Sequence, residues 1–143
     1  MKLKTIEFVD LERKISAKGK SFRDILASEM GKAYVIVISR DGCPACESQK
    51  PRLDKLAEAF AMEKENDKTV FIRIHVKYSK NFKEEALRSR DVLGHYFFPT
   101  NIILVRTRDR GAIELFRSVE PRMSELKRNI NLATEIADML DKT

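Results

Sequence analysis

Tyr34-Val35-Ile36-Val37-Ile38 is a continuous run of β-branched and aromatic residues with no polar alternation, and it constrains the fold more than any other stretch of the chain. A strand with one face in water alternates apolar and polar residues, whereas a run of this kind reads as a strand covered on both faces. It predicts a sheet with helices on either side and this strand near its centre. With 143 residues, 43 % of them apolar, the chain is long enough to wrap one such core, and a single domain over 1–143 is expected.

The flanking segments supply the other elements. Residues 4–9 (KTIEFV) read as a short strand. Ser21 followed by Asp24 marks a helix start; Phe22, Ile25, Leu26 and Met30 share one face, and Gly31 suits the C-cap, so a helix is predicted over about 21–30. After the central strand, Leu53, Leu56, Ala57 and Phe60 recur at helical spacing, predicting a helix to about Asn66 with Pro51 bending it. Val70–Val76 reads as the next strand. Asn81 and Glu84 then read as a helix cap and its partner, with Phe82, Ala86, Leu87 and Leu93 on the apolar side and Gly94 as the stop. Residues 102–105 and 112–116 flank RTRDRG and read as an antiparallel hairpin. A last helix carries Met123, Leu126, Ile130, Ala133, Ala137 and Leu140 on one stripe. The predicted order is β-α-β-α-β-α-β-β-α, a mixed sheet with helices on both faces.

Both cysteines of the chain lie in Asp41-Gly42-Cys43-Pro44-Ala45-Cys46-Glu47, directly after the central strand. Two thiols separated by two residues at the start of a helix are within reach of a small disulfide, and the spacing suits redox chemistry. Cys43 at the helix N-terminus faces unpaired N–H groups that favour a thiolate, and thiols so placed titrate at roughly 3.5–7.5. Cys46, one turn further in, is expected to be more buried and less reactive. The division of labour would be that Cys43 attacks a disulfide and Cys46 resolves the mixed disulfide. Pro44 withholds an N–H where none is needed. Two other readings stay open, a metal site and a pair without redox function. Zinc would need two further ligands from His75, His95 or carboxylates, and neither histidine has finger-like spacing; each reads as an ordinary partly buried or surface residue.

The charge pattern excludes some partners. Twenty-eight Lys and Arg against 22 Asp and Glu leave +6, but the basic residues are spread among acidic neighbours with no run of five, so no nucleic-acid partner is expected. No stretch approaches the ~20 apolar residues of a membrane span. Glu7, Asp10 and Glu12 interrupt the N-terminus, which does not read as a signal peptide, and a cytoplasmic location is expected.

The strand YVIVIS, the turn DGCPAC, Pro51 eight residues after the first cysteine, and Phe98-Pro99-Thr100 before a hairpin together resemble the thioredoxin superfamily over nearly the whole chain. The resemblance implies a thioredoxin-like three-layer α/β/α sandwich with a mixed central sheet of four to five strands and a C-terminal hairpin and helix. It also implies a cis bond before Pro99. Phe98, Pro99 and Thr100 would then form a groove that docks substrate as an added strand, with Gly42 and Pro44 on its rim. The expected activity is that of a thiol–disulfide oxidoreductase, an enzyme reducing protein disulfides through Cys43 and Cys46. Its partners would be disulfide-containing protein substrates and an upstream thiol reductase, with no cofactor beyond the dithiol and a monomeric state. The alternative is a thioredoxin-fold binding module with little or no redox turnover.

Four departures from the family pattern bear on this. Gly42 stands where thioredoxins have Trp, and Val37 where they bury an acid, so the resolving thiol's proton must use water or another group such as Asp41 or Glu47. Pro44-Ala45 resembles the Pro-first turns of glutaredoxins and bacterial disulfide oxidases, but the Gly-Gly turn of glutaredoxins is absent. The segment from Val76 to Phe98 is longer than in thioredoxin, and Arg73, His75 and Lys77 are candidates to lie near the site.

Overall fold

In the computed structural model, which describes residues 3–63 and 68–143, a five-stranded sheet is sandwiched between two helical layers. In chain order the elements are β1 (Lys4–Glu7), α1 (Phe8–Lys18), α2 (Phe22–Leu26), β2 (Ala33–Arg40), α3 (Pro44–Ala61), β3 (Thr69–Val76), α4 (Glu84–Leu93), β4 (Thr100–Arg106), β5 (Ala112–Val119) and α5 (Met123–Lys142). The strand order is β1-β3-β2-β4-β5; β1, β3 and β2 are mutually parallel, and β4 and β5 are antiparallel to their neighbours.

β2 is central, with every residue from Ala33 to Ser39 buried. Its side chains alternate between two cores. Tyr34, Ile36 and Ile38 pack with Phe8, Leu11, Phe22 and Leu93 of α1, α2 and α4, while Val35 and Val37 pack with Leu53, Phe60, Leu126 and Ile130 of α3 and α5. Each large aliphatic side chain so buried contributes roughly 1.5–3 kcal/mol.

The structure corrects four boundaries and adds a helix. The strand expected over 4–9 stops at Glu7, and Phe8 opens α1, whose Phe8 and Leu11 are buried, with Ile15 packed against the same core and Gly19 closing the helix in the left-handed region. The helix expected over 21–30 does begin at Ser21, whose hydroxyl accepts the Asp24 N–H at 3.4 Å, but it ends at Leu26. Arg106 explains the early stop: its guanidinium donates to the carbonyls of Asp24 and Ala27 at 3.2 and 2.9 Å, the acceptors a longer helix would have used. Asn81 is not a cap, because Ser79 and Phe82 pair their backbones at 3.0 and 3.1 Å and hold 80–81 in the turn between them, before α4. The helix expected to reach Asn66 runs to Ala61 through an exposed Pro51; residues 64–66 of the expected range lie outside the described residues.

Gly94 ends α4 at φ +70°, its N–H donating to the Arg90 carbonyl, with nothing within 4 Å of where a Cβ would stand. Gly94→Ala therefore meets no clash and should lose about 1 kcal/mol from backbone strain alone, measurable as a lowered urea midpoint with unchanged slope.

Candidate functional site

The site hangs from the C-terminal end of β2. The chain leaves the strand at Arg40 and turns through Gly42, which sits at φ +62°. A residue with a Cβ is strained in that conformation, which gives a local reason for glycine rather than a large aromatic before the first cysteine. Cys43 is the N-cap of α3 with extended backbone, Pro44 begins the helix, and Glu47 adds an acid to its first turn. Cys43 and Cys46 are joined as a disulfide across a Cα–Cα distance of 5.2 Å. The Cys46 N–H donates to the Cys43 sulfur at 3.1 Å, a bond that strengthens when that sulfur carries charge.

The segment between α4 and β4 forms the facing wall. The Phe98–Pro99 peptide bond is cis, and the Phe98 carbonyl oxygen lies 3.6 Å from the Cys43 sulfur. Pro99 and Thr100 are buried, Phe98 is half-buried, and Gly42 and Pro44 are exposed on the rim. Several contacts fix the segment. Thr100 Oγ1 donates to the Phe97 carbonyl at 2.6 Å, and Arg117 of β5 donates to the carbonyls of Gly94 and Leu93 at 3.0 and 3.5 Å. The Arg40 guanidinium lies 3.9 Å from the Tyr78 ring centroid and 5.7 Å from that of Phe98. Tyr96 and Phe97 are 78 and 64 % exposed, two aromatic side chains immediately before Phe98 that the sequence pattern did not single out.

His95 is buried, at 2 % exposure, which corrects its reading as an ordinary partly buried or surface residue. Ser89 Oγ donates to the Ala86 carbonyl at 2.8 Å, so toward His95 Nε2, 3.0 Å away, it can only accept. The ring therefore carries a proton on Nε2. Burial pushes its pKa down to about 4, and Arg90 and Arg117 act in the same direction. The Phe97 carbonyl opposes the shift but makes no well-directed bond to Nδ1, which has no partner among the described residues. The His95 ring meets Phe98 edge-on, with centroids 4.6 Å apart.

Cys46 is not the more buried sulfur-bearing residue: Cys43 is 4 % exposed and Cys46 9 %. The reason is a cleft of about 300 Å3 on the α3 side of the sheet, lined by Cys46 but not by Cys43, with Asp41, Glu47, Arg73 and His75 among its walls. Of the candidates from the sequence, Arg73 and His75 reach this cleft and Lys77 does not line it. Val37 is buried in the core beneath, as an apolar residue there should be. On the same side of the sheet, Gln49 and Asn101 are buried with no hydrogen-bond partner for either amide among the described residues. No spacing argument from sequence would have found them. His75 is held between two acids, Nδ1 at 2.8 Å from Glu7 and Nε2 at 2.7 Å from Asp41. Among the described residues no group of three or more His, Cys, Asp or Glu is arranged to hold one metal ion.

The sheet order, the helices on both faces and the disulfide turn at the head of α3 define the thioredoxin fold. Solved structures agree with this. Spinach chloroplast thioredoxin f in its short form superposes at TM-score 0.57 with 17 % identity, over 92 % of this chain and 93 % of that one. A Trichomonas vaginalis thioredoxin gives 0.60 with 15 % identity over 91 and 96 %, and thioredoxin f2 in a complex with ferredoxin:thioredoxin reductase gives 0.57 with 14 % identity over 92 and 94 %. By sequence, no family model and no curated protein matches the chain.

Proposed function

We propose that this protein is a thiol–disulfide oxidoreductase that reduces protein disulfides through Cys43 and Cys46. The observation that carries the reading is the bonded cysteine pair at the head of α3, with the leading sulfur accepting a helix N–H and lying against the Phe98 carbonyl. In the reduced protein the Cys43 thiolate attacks a substrate disulfide. Its electron pair forms the mixed disulfide, and the substrate's other sulfur leaves as a thiolate. Cys46 then attacks Cys43, closing the pair and releasing the second substrate thiol. Phe98, Pro99 and Thr100 support docking of an extended peptide, Gly42 and Pro44 leave the approach uncluttered, and the acting unit is a single domain of 1–143.

The reducing direction goes with a cytoplasmic setting, where protein disulfides are transient. No helix among the described residues is long and apolar enough to cross a membrane. An upstream thiol reductase returns the pair to the dithiol, a partner class represented by the reductase bound to thioredoxin f2.

A second reading, a thioredoxin-fold binding module with little turnover, is favoured by two observations: Cys43 is 4 % exposed and Val37 cannot accept a proton. Reduction of insulin by dithiothreitol separates the two. The oxidoreductase accelerates precipitation of the B chain well above the buffer rate, whereas no acceleration at any concentration selects the binding module.

A further inference from the structure

Resolution by Cys46 requires its thiol to lose a proton, and reopening of the disulfide requires the departing Cys46 thiolate to gain one. Val37 can do neither, and Gln49 and Asn101 are neutral amides. The cleft beside Cys46 contains a group suited to both. His75 stands on β3 on the same side of the sheet as α3, with one ring nitrogen facing each of two carboxylates. A neutral imidazole has one N–H and can donate to one acid only, so two ionised acids at these distances require both nitrogens to be protonated. Burial works against the charge, but the hydrogen bonds to Glu7 and Asp41 and the attraction of both acids outweigh it and raise the pKa. Asp41 in turn is lowered, first by its hydrogen bond with His75, against a smaller opposing effect of burial, and is further steadied by the Tyr78 N–H at 3.3 Å.

The other charges facing His75 are Arg73 from its own strand and, across the cleft, Arg40, Glu47 and Lys50; Lys77 acts on Asp41. Glu7 contacts the ring from β1 without lining the cleft.

Resting on the oxidoreductase reading, we propose that His75, held by Glu7 and Asp41, is the proton-exchange residue for Cys46. When an incoming thiolate attacks Cys43, its electron pair forms the new S–S bond, the old bond's pair leaves on Cys46, and that thiolate takes the Nε2 proton of the His75 imidazolium across the cleft as its hydrogen bond to Asp41 breaks, Nδ1 keeping its proton on Glu7. In resolution the neutral imidazole takes the Cys46 proton as Cys46 attacks Cys43 and the substrate sulfur departs as a thiolate. The exchange uses only protons already on the two groups and needs no further reactant.

The test uses the reduced full chain and 5,5′-dithiobis(2-nitrobenzoate). Attack by Cys43 releases a first coloured thiolate and leaves the second in a mixed disulfide, which Cys46 then releases, so the two steps appear as two phases. In the wild type the second phase gains rate with pH through an inflection above the ordinary imidazole value of about 6.5. In His75→Gln the first phase is retained, while the second slows by about tenfold or more at pH 7 and its inflection moves up toward the ordinary thiol value of about 8.5. Imidazole in the buffer restores part of the lost rate. Glu7→Gln, which removes one of the two acids holding the charge, moves the wild-type inflection down. Unchanged second-phase profiles in both variants, or a profile that follows Glu47→Gln instead, would overturn the assignment to His75. A wild-type first phase no faster than that of a free thiol would overturn the oxidoreductase reading itself.

Discussion

Cys46→Ser is expected to leave Cys43 covalently joined to the protein disulfides it attacks, and Cys43→Ser to abolish exchange altogether. The two sulfurs are not interchangeable in their surroundings. Cys43 caps α3, accepts the Cys46 N–H and lies against the Phe98 carbonyl beside the exposed rim, whereas Cys46 faces the polar cleft. Without Cys46 the first attack still proceeds, but no neighbouring thiol can displace the bound sulfur, and the mixed disulfide persists. Without Cys43 no thiolate remains at the helix terminus. The measurement is capture from a cell extract followed by non-reducing electrophoresis. Cys46→Ser should show thiol-sensitive conjugates that Cys43→Ser and the double variant lack. Equal yields from both single variants would show that the order of attack is wrong.

Acidification should weaken the fold through His95. Its pKa is about 4 in the folded chain against an ordinary value of 6.5, so between these limits the unfolded chain binds the proton and the folded chain does not. The stability that the neutral buried ring contributes is therefore complete above pH 6.5 and declines as pH falls toward 4, by about 3 kcal/mol across the window. His75 works in the opposite sense. Its raised pKa adds stability that is full below the ordinary value and is lost as pH rises through the folded one. The comparison that isolates His95 is wild type against His95→Leu, in which Ser89 keeps its bond to the Ala86 carbonyl. Urea unfolding at pH 7.5 and 4 should show the wild type losing about 3 kcal/mol more than the variant. A parallel loss in both would place the acid sensitivity elsewhere.

The readable parts of the sequence were those where one physical cause dominates. β2 announced itself because burial on both faces leaves no room for polar alternation, and α5 because a twenty-residue amphipathic helix repeats its apolar stripe over more than five turns. The cysteine turn was legible because its chemistry is local. α1 was hidden by its charges: Phe8, Leu11 and Ile15 do mark one helical face, but Asp10, Glu12, Arg13 and Lys14 lie between them, and KTIEFV just before passes for a strand. The end of α2 was unreadable for a different reason, since Arg106, some eighty residues away, takes the carbonyls that would have carried it on. The same holds for the surroundings of Cys46. Glu7, Asp41 and His75 are scattered along the chain, and only the parallel register of β3 with both neighbours brings them together: β1 sets Glu7 beside His75, and β2, whose Ser39 is the partner of His75, ends just before Asp41.

That register belongs to a sheet whose middle strand presents alternate side chains to opposite cores. β2 is thus a shared wall: packing lost on one side would loosen the backbone on which the other side depends. The two halves of the interior cannot melt independently, and the cysteine turn, carried on the end of that wall, keeps its shape only while both are intact.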